Sequence, residues 1–319
     1  MNRPLKAPFP YAGGKSRIAS VVWSRLGDTK NYVEPFFGSG AMLLNRPTPP
    51  QIETVNDADG LLANFWRALR EDPEAVAHHA DHPIHECDLH ARHSWLVSQR
   101  AGITSRLEGD PDWFDARVAG WWVWGMAIWI GGGFCSGKGP WHSVDGELIT
   151  AELPHLGNAG RGINAGISRA LPHLGDAGQG GNLGDWFKQL SDRLRRTRVT
   201  CGDWKRVCTP IVTTRHGLTA VFLDPPYSYA LRDKGTYAKD TDCGAAVAAW
   251  AIEHGDDPLF RIALCGYDGE HIMPDTWECV AWKANGGYAK RDRALANAHI
   301  ERVWFSPHCL RPAETGGEG

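Results

Sequence analysis

The sequence predicts an α/β fold built on a doubly wound, mostly parallel sheet that a long insertion interrupts. Short apolar runs that end in an acid or a glycine loop alternate with helical patterns in the first 72 residues and again after residue 186. Two late segments of alternating polarity, Glu278–Lys283 and Ile300–Phe305, predict a final antiparallel pair. The predicted boundaries are 1–72 and 186–319 for the sheet domain and 73–185 for the insertion.

The composition is that of an ordinary globular protein. The 319 residues are 42% hydrophobic, which suffices for one large domain with an insertion. No basic-then-apolar segment at the start resembles a signal peptide, and the most apolar stretch, Trp121–Ile130, is too short to span a bilayer. We expect a cytoplasmic protein without a membrane anchor.

Cysteine spacing and net charge say little about which partner the protein binds. The eight cysteines form no Cys-x-x-Cys pair, so we expect reduced thiols and no zinc or other metal site. The net charge of −3 does not by itself indicate a nucleic-acid partner, and local clusters of charge matter more.

The first element is a glycine turn before a helix. Gly13 and Gly14 let the backbone approach a ligand, and Lys15 stands at the start of a helix predicted over Ser16–Leu26. This arrangement suits an anionic group, although it lacks the spacing of a nucleotide P-loop. A plain glycine turn before an ordinary helix explains the same residues.

Two strand–loop units follow. A strand at Tyr32–Val33 leads into a Gly38-Ser-Gly40 loop and a helix beginning near Ser39, a common way to bring a cofactor against the backbone. The strand Ile52–Asp57 ends in an acid about 20 residues past that loop, where a carboxylate binds ribose hydroxyls. The alternative is that Asp57 caps the next helix, Leu61–Glu71.

Residues 73–185 show no clear strand–helix alternation. Trp113–Ile130 is predicted to be a buried helix, and the loop Gly131–Trp141, which carries Lys138, could follow a DNA backbone or be a plain connection. A ten-residue repeat occupies 153–162 and 171–180, with no firm physical explanation. Arg161 and Arg169 beside it suit phosphate or base contacts.

The regular pattern returns with a helix at Trp186–Arg195 and a short strand at Val199–Trp204. Asp203 could accept a hydrogen bond from an adenine amino group while Trp204 packs on the ring, or the two could be a cap and a core residue. Seven basic residues against two acids between 188 and 206 suggest DNA contacts at Arg195 and Arg196, or else a solvated helix face.

The most informative stretch is Ala220–Tyr227. A continuous apolar run predicts a buried strand that ends in Asp224-Pro225-Pro226-Tyr227, where α/β sheets place ligands. These residues suit methylation of a nucleobase amino group, whose lone pair is delocalised into the ring. The Asp224 carboxylate and the Pro225 carbonyl would accept its two N–H groups, and Tyr227 would stack on an extruded base. Pro226 stiffens the segment.

Three further elements complete the chain. A polar segment suited to an active-site lid follows at Ser228–Asp242, then a helix at Ala245–His254 and a strand at Phe260–Cys265.

Taken together, these motifs resemble the Dam-type DNA adenine-N6 methyltransferases, including phage members of that class. The resemblance covers most of 7–72 and 186–310 in the family's order, and it rests on the motifs Pro10-Tyr-Ala-Gly-Gly-Lys15, Val33-Glu-Pro-Phe-Phe-Gly-Ser-Gly40, Val55-Asn-Asp57, Cys201-Gly-Asp-Trp204 and Asp224-Pro-Pro-Tyr227. Tyr11 replaces the tryptophan of many relatives, and Ala58-Asp59 departs from the usual residues.

The resemblance implies a Rossmann-like S-adenosylmethionine-dependent sheet with an inserted, mainly helical or loop target-recognition subdomain. It implies S-adenosyl-L-methionine as the methyl donor. We further predict double-stranded DNA as the partner and a monomer or weak dimer, and the proposed chemistry requires no metal. The residues that it assigns to the cofactor are Tyr11, Lys15, Glu34, Phe36, Gly38, Gly40, Asp57 and Asp203, and the packing role suggested above adds Trp204.

Two alternatives remain at this point. Pro-Pro-Tyr segments serve planar amino groups generally, so RNA adenine, cytosine N4 or a protein amide could be the acceptor. A catalytically idle DNA-binding regulator is the other class. The recognition sequence does not follow from these motifs.

Overall fold

Seven strands form the main sheet. The structure is a computed structural model that describes residues 5–9, 11, 14–48, 51–129, 134–135, 141–144, 147–150, 183–227, 243–282 and 301–311. The sheet strands are β1 (Asn31–Glu34), β2 (Ile52–Asp57), β5 (Thr197–Cys201), β6 (Thr219–Leu223), β7 (Phe260–Tyr267), β8 (Glu278–Trp282) and β9 (Glu301–Phe305). Their order in the sheet is β5-β2-β1-β6-β7-β9-β8.

The strand directions make the sheet doubly wound. β5, β2, β1, β6 and β7 are parallel, while β9 runs antiparallel to both of its neighbours, β7 and β8. The chain moves outward from β1 to one side and later from β6 to the other. The switch point therefore lies between β1 and β6, and sheets of this kind bind ligands there, beyond the carboxyl ends of the strands. The predicted α/β class and antiparallel pair are confirmed.

Eight α-helices are present among the described residues. They are α1 (Ala19–Leu26), α2 (Ala41–Leu44), α3 (Gly60–Glu71), α4 (Pro73–Ala80), α5 (Glu86–Gly109), α6 (Ala116–Ile128), α7 (Leu183–Leu194) and α8 (Gly244–Gly255). None of these helices combines the length and the apolar character that crossing a bilayer requires.

The two faces of the central strands bury alternate residues. Tyr32, Phe222 and Ala263 pack into a core shared with α1, α3 and α7, whereas Val33 and Val221 pack on the other face with α8. Because both faces are covered, β6 carries apolar residues on both of them. This is why β6 reads as a continuous apolar run.

Helices α4, α5 and α6 lie in the region that was predicted to be an insertion. Their buried residues, such as Val76, Leu96 and Trp122, belong to the same hydrophobic cluster as α3. The cluster joins these helices to the sheet, and the domain boundaries at 73 and 185 stay a prediction.

The structure corrects the predicted bounds of α1 and β5 and adds an element that was not predicted. Residues 16–18 form a turn, so α1 starts at Ala19 and not at Ser16. β5 starts at Thr197 and ends at Cys201, because Asp203 accepts from the Lys205 N–H and begins a 3₁₀ turn that contains Trp204. An antiparallel hairpin of β3 (Trp141–Val144) and β4 (Glu147–Thr150) was not predicted. The lid segment 228–242 and the 153–180 repeat lie outside the described residues.

A buried charge cluster ties the amino ends of β2 and β5 to the helices. The Glu53 carboxylate accepts from Arg193 Nη1 at 2.7 Å, from Arg46 Nη1 at 3.1 Å and from Thr197 Oγ1 at 2.9 Å. The side chains of Glu53 and Arg46 have no solvent exposure. Removing the acid would leave the Arg193 guanidinium with an uncompensated charge and Arg46 with only the longer 3.8 Å contact to Asp28.

We therefore predict that Glu53→Ala lowers the free energy of unfolding by about 3–5 kcal/mol. Urea unfolding followed by circular dichroism measures the change. Asp192→Ala is the control, because Asp192 is exposed and makes a surface ion pair, and it should change stability by no more than about 0.5 kcal/mol. A loss below about 1 kcal/mol for Glu53→Ala would contradict a structural role for the cluster.

Candidate functional site

The carboxyl edge of the sheet gathers most of the side chains that the sequence singled out. Glu34 is the last residue of β1 and Asp57 the last of β2, while Asp224 directly follows β6. Asp203 follows β5 by two residues. Because parallel strands end at the same edge, four acids that are far apart in sequence lie along one side of the sheet.

The loop after β1 is fixed in place by the side chains packed around it. Gly38 and Gly40 have φ values of +48° and +64°, which L side chains rarely adopt. A Cβ on Gly38 would lie 2.7 Å from the Tyr11 ring. The Trp66 indole donates to the Gly38 carbonyl at 3.0 Å. The backbone of this loop is therefore fixed, with Tyr11 packed against it.

Asn56 connects this loop to the end of β5, a role that the sequence analysis missed. Its side-chain amide donates to the Pro35 carbonyl at 3.1 Å and to the Gly202 carbonyl at 3.0 Å. The Asn56 carbonyl accepts from the Phe37 N–H at 2.9 Å. One buried residue thus sets the spacing of two edge loops, and its place beside Asp57 in the motif was the available signal.

Asp57 is partly buried and already carries two backbone hydrogen bonds. Its Oδ2 accepts from the Gly38 N–H at 3.0 Å and its Oδ1 from the Asp59 N–H at 2.9 Å. Burial raises the pKa of Asp57 to about 6, although both backbone groups oppose the shift. A carboxylate has about four acceptor sites, so Asp57 can still receive a ligand hydroxyl. The residue that caps α3 is Asp59 and not Asp57, because the Asp59 side chain accepts from the Leu61 N–H.

Glu34 lies deeper, beneath the edge. The Tyr32 hydroxyl donates to its Oε2 at 2.8 Å, and the side chain is buried. Burial, with the charge of Asp224 in the same direction, raises the pKa of Glu34 well above its usual value. Glu34 therefore tends to hold a proton more than an exposed carboxyl does.

The Lys15 ammonium joins the start of the chain to β6 and β9. Its Nζ lies 2.8 Å from Asp224 Oδ2 and 3.0 Å from the Tyr227 hydroxyl, and 3.9 Å from Glu301 Oε2. Lys15 is only 4% exposed, whereas the Asp224 side chain is 21% exposed. The cation is thus buried while the acid remains reachable from solvent.

Three residues of this cluster were not singled out from the sequence. Glu301 begins β9 and pairs with Tyr267 of β7 on one side and with Trp282 of β8 on the other. Tyr267 packs on Tyr227 with ring centroids 4.4 Å apart. The Lys15 Nζ lies 5.7 Å from the centre of the Trp282 ring. No local spacing connects residue 15 with residue 301, so only the sheet order reveals the cluster.

Of the predicted base-binding residues, Pro225 and Tyr227 are buried and Pro226 is half-buried.

The residues predicted to contact the adenine of the cofactor differ in their placement. Asp203 is exposed and caps its own 3₁₀ turn. Trp204 is 6% exposed and packs in the core with Val33 and Val221, with its ring centroid 6.3 Å from that of Phe36. Phe36 is half-buried at the edge, so it presents more ring surface than Trp204 does.

The predicted DNA contacts gain no support. Arg195 and Arg196 are exposed, but they precede β5 and so lie at the amino edge of the sheet, opposite Asp224. Counting charges along the sequence does not show which edge a cluster occupies. Lys138, Arg161 and Arg169 lie outside the described residues.

Within the described ranges, no group of three or more His, Cys, Asp or Glu side chains is arranged to hold a metal ion. The buried thiol of Cys265 lies below the edge, and burial raises its pKa well above the usual range. A thiol in that state is a poor nucleophile.

Comparison with known proteins gives two partial matches. Residues 11–94 match the family model of D12 class N6 adenine-specific DNA methyltransferases. Over 75 residues, the chain is 32% identical to the DNA adenine methylases of two Vibrio cholerae serotype O1 strains, which is 24% of this chain and 26% of each relative. The match thus spans about a quarter of the length of the curated relatives. Both comparisons support a Dam-type methyltransferase.

The conformation of Gly38 yields a prediction about the loop. Gly38→Ala should lower the free energy of unfolding by about 1–2 kcal/mol for the left-handed backbone, with the contact to Tyr11 adding to that loss. Thermal and urea unfolding measure it. Gly184→Ala is the matched control, because Gly184 lies on α7 and a Cβ added there meets no atom within 4 Å. This change should be neutral or raise the free energy of unfolding by about 0.5–1 kcal/mol. Equal effects of the two changes would refute the fixed loop.

Proposed function

We propose that this protein transfers a methyl group from S-adenosylmethionine to N6 of an adenine flipped out of double-stranded DNA. The observation that carries the proposal is the position of Asp224-Pro-Pro-Tyr227. This segment directly follows β6 at the switch point, with a partly exposed carboxylate beside a buried tyrosine. The geometry suits planar amino groups in general, and the partial family match favours the N6 amino group of adenine among them.

The residues around the β1 loop fit S-adenosylmethionine. A Cβ would crowd the loop at Gly38 and Gly40, and Asp57 keeps acceptor sites for ribose hydroxyls. Phe36 offers a ring face and Asp203 an exposed carboxylate for an adenine. When bound, the cofactor supplies a methyl group that is activated by a positively charged sulfur.

Asp224 and the Pro225 carbonyl would then orient the acceptor nitrogen. The contact with Lys15 uses Oδ2 of Asp224, and the other carboxylate oxygen can accept an amino N–H of the base. With the second N–H on the Pro225 carbonyl, the nitrogen lone pair turns out of the ring plane. The carboxylate also stabilises the positive charge that develops on that nitrogen. Attack is direct and needs no covalent intermediate on the protein.

Double-stranded DNA is the proposed partner, and the base would leave the stack to reach Tyr227. We propose an enzyme that works in the cytoplasm, as a monomer or weak dimer. Residues 73–185 are the candidate for target recognition, since the residues at the carboxyl edge of the sheet would contact a base but no flanking sequence.

Asp224→Ala should abolish turnover while cofactor binding persists. Because one preorganised polar contact in an active site is worth about 10²–10³ in kcat, we expect a loss at least that large. Transfer of tritiated methyl groups to DNA, RNA and protein measures turnover, and isothermal titration calorimetry measures cofactor affinity. Asp185→Ala, at an exposed position on α7, should behave as wild type.

Retained activity in Asp224→Ala would overturn the assignment of the catalytic segment. Label in RNA or protein but not in DNA would overturn the substrate, and cofactor binding without transfer to any acceptor would favour an idle binder.

Asp57→Asn should weaken S-adenosylmethionine binding. It should also remove the loss of affinity that the wild type shows as the pH falls from 7 to 5. The wild-type pKa of about 6 means that Asp57 is mostly ionised at pH 7 and mostly protonated at pH 5. If ribose hydroxyls need the ionised form, Kd rises about tenfold between pH 7 and pH 5 in the wild type. Calorimetry at both pH values tests this, and a tenfold change that persists in Asp57→Asn would contradict the assignment.

A further inference from the structure

We propose that Glu301 is a positioning residue that fixes the ring of Tyr227, the surface on which the target base would stack; this inference rests on the proposed function. The Tyr227 hydroxyl accepts from Lys15 Nζ at 3.0 Å and donates to Glu301 Oε2 at 3.3 Å. An ammonium can only donate and an ionised carboxylate can only accept. The two partners therefore impose one orientation on the phenol.

Strand order explains how Glu301 reaches this place. β9 is antiparallel to both neighbours, so its first residue lies at the edge where the parallel strands end. A parallel strand at this position would bring its last residue there instead. Glu301 stands between Tyr267 and Trp282, and Tyr267 contacts the Tyr227 ring. Glu301 thus holds the hydroxyl while Tyr267 supports the ring.

Charge balance gives Glu301 a second effect on the site. Glu301 Oε2 is 3.9 Å from the Lys15 Nζ, which is 2.8 Å from Asp224. When Asp224 accepts an amino N–H of the base, its interaction with Lys15 weakens. Glu301 then keeps a negative charge beside the buried ammonium, so Lys15 stays in place on the Tyr227 hydroxyl. Glu301 acts through these two side chains and does not contact the base.

Glu301→Gln is the test, because it removes the charge with little change in volume. We expect kcat for DNA methylation to fall about tenfold, since hydrogen bonds to charged groups are the stronger ones, while the KM for S-adenosylmethionine stays within about twofold. In a Tyr227→Phe background the same change should have a smaller effect, because the hydroxyl it acts on is gone. Glu278→Gln is the control, since Glu278 begins β8 at the opposite edge and pairs with Arg25.

A second measurement does not depend on activity. The protein has seven tyrosines, so ¹³C-tyrosine labelling gives few ring signals, and Tyr227→Phe identifies the signal of residue 227. We expect that signal to shift or broaden in Glu301→Gln and to stay unchanged in Glu278→Gln. An unchanged Tyr227 signal, or equal losses of kcat with and without the Tyr227 hydroxyl, would overturn the inference. Wild-type protein that methylates no DNA would overturn the proposed function, and the tyrosine signal would still decide the role of Glu301.

Discussion

The arrangement of the site depends on one buried cation. Lys15 precedes the first helix, yet its ammonium contacts groups that follow β6 and begin β9. Three carboxylates, Glu34, Asp224 and Glu301, interact electrostatically in this region, so without the cation their mutual repulsion would be expensive in a buried setting. Burial raises the pKa of Glu301, and Lys15 opposes that shift. The cation therefore favours the ionised form of Glu301, while Glu34 below the edge tends to hold a proton.

Two charged clusters lie at opposite edges of the sheet and have different roles. At the amino edge, Glu53 is fully enclosed by arginines and a threonine, and no part of that acid meets solvent. At the carboxyl edge, Asp224 is paired on one oxygen and partly exposed. The same types of residue thus stabilise the fold at one edge and remain available for chemistry at the other, and the difference lies in exposure.

Much of the fold was predictable because its signals are local. The apolar run before Asp224, the glycine loop after β1 and the alternating segments of β8 and β9 each carry their own pattern. The positions of Asp57 and Asp224 at one edge follow from a general property of parallel strands, whose carboxyl ends meet there. Asp57 and the loop were linked only by sequence distance, and the structure adds the hydrogen bond between Asp57 and Gly38.

What the sequence did not reveal depends on long-range packing. Glu301 was visible as part of a strand, but its importance arises from strand order alone. Trp204 looked suited to stacking on a ligand, whereas the 3₁₀ turn directs it into the core. Arg195 and Arg196 looked suited to DNA, whereas the start of β5 places them at the far edge. Charge and aromatic content are visible in a sequence, but the direction in which they point is set by the fold.

The most direct test of the central claim, that Asp224-Pro-Pro-Tyr227 holds an adenine amino group for methylation, is methylation-sensitive sequencing of DNA from cells that express the protein. Cells expressing Asp224→Ala provide the comparison. The account predicts N6-methyladenine in a fixed sequence context in the first sample and its absence from the second. Equal levels of N6-methyladenine in both samples, or none in either while the wild-type protein is folded and binds S-adenosylmethionine, would contradict it.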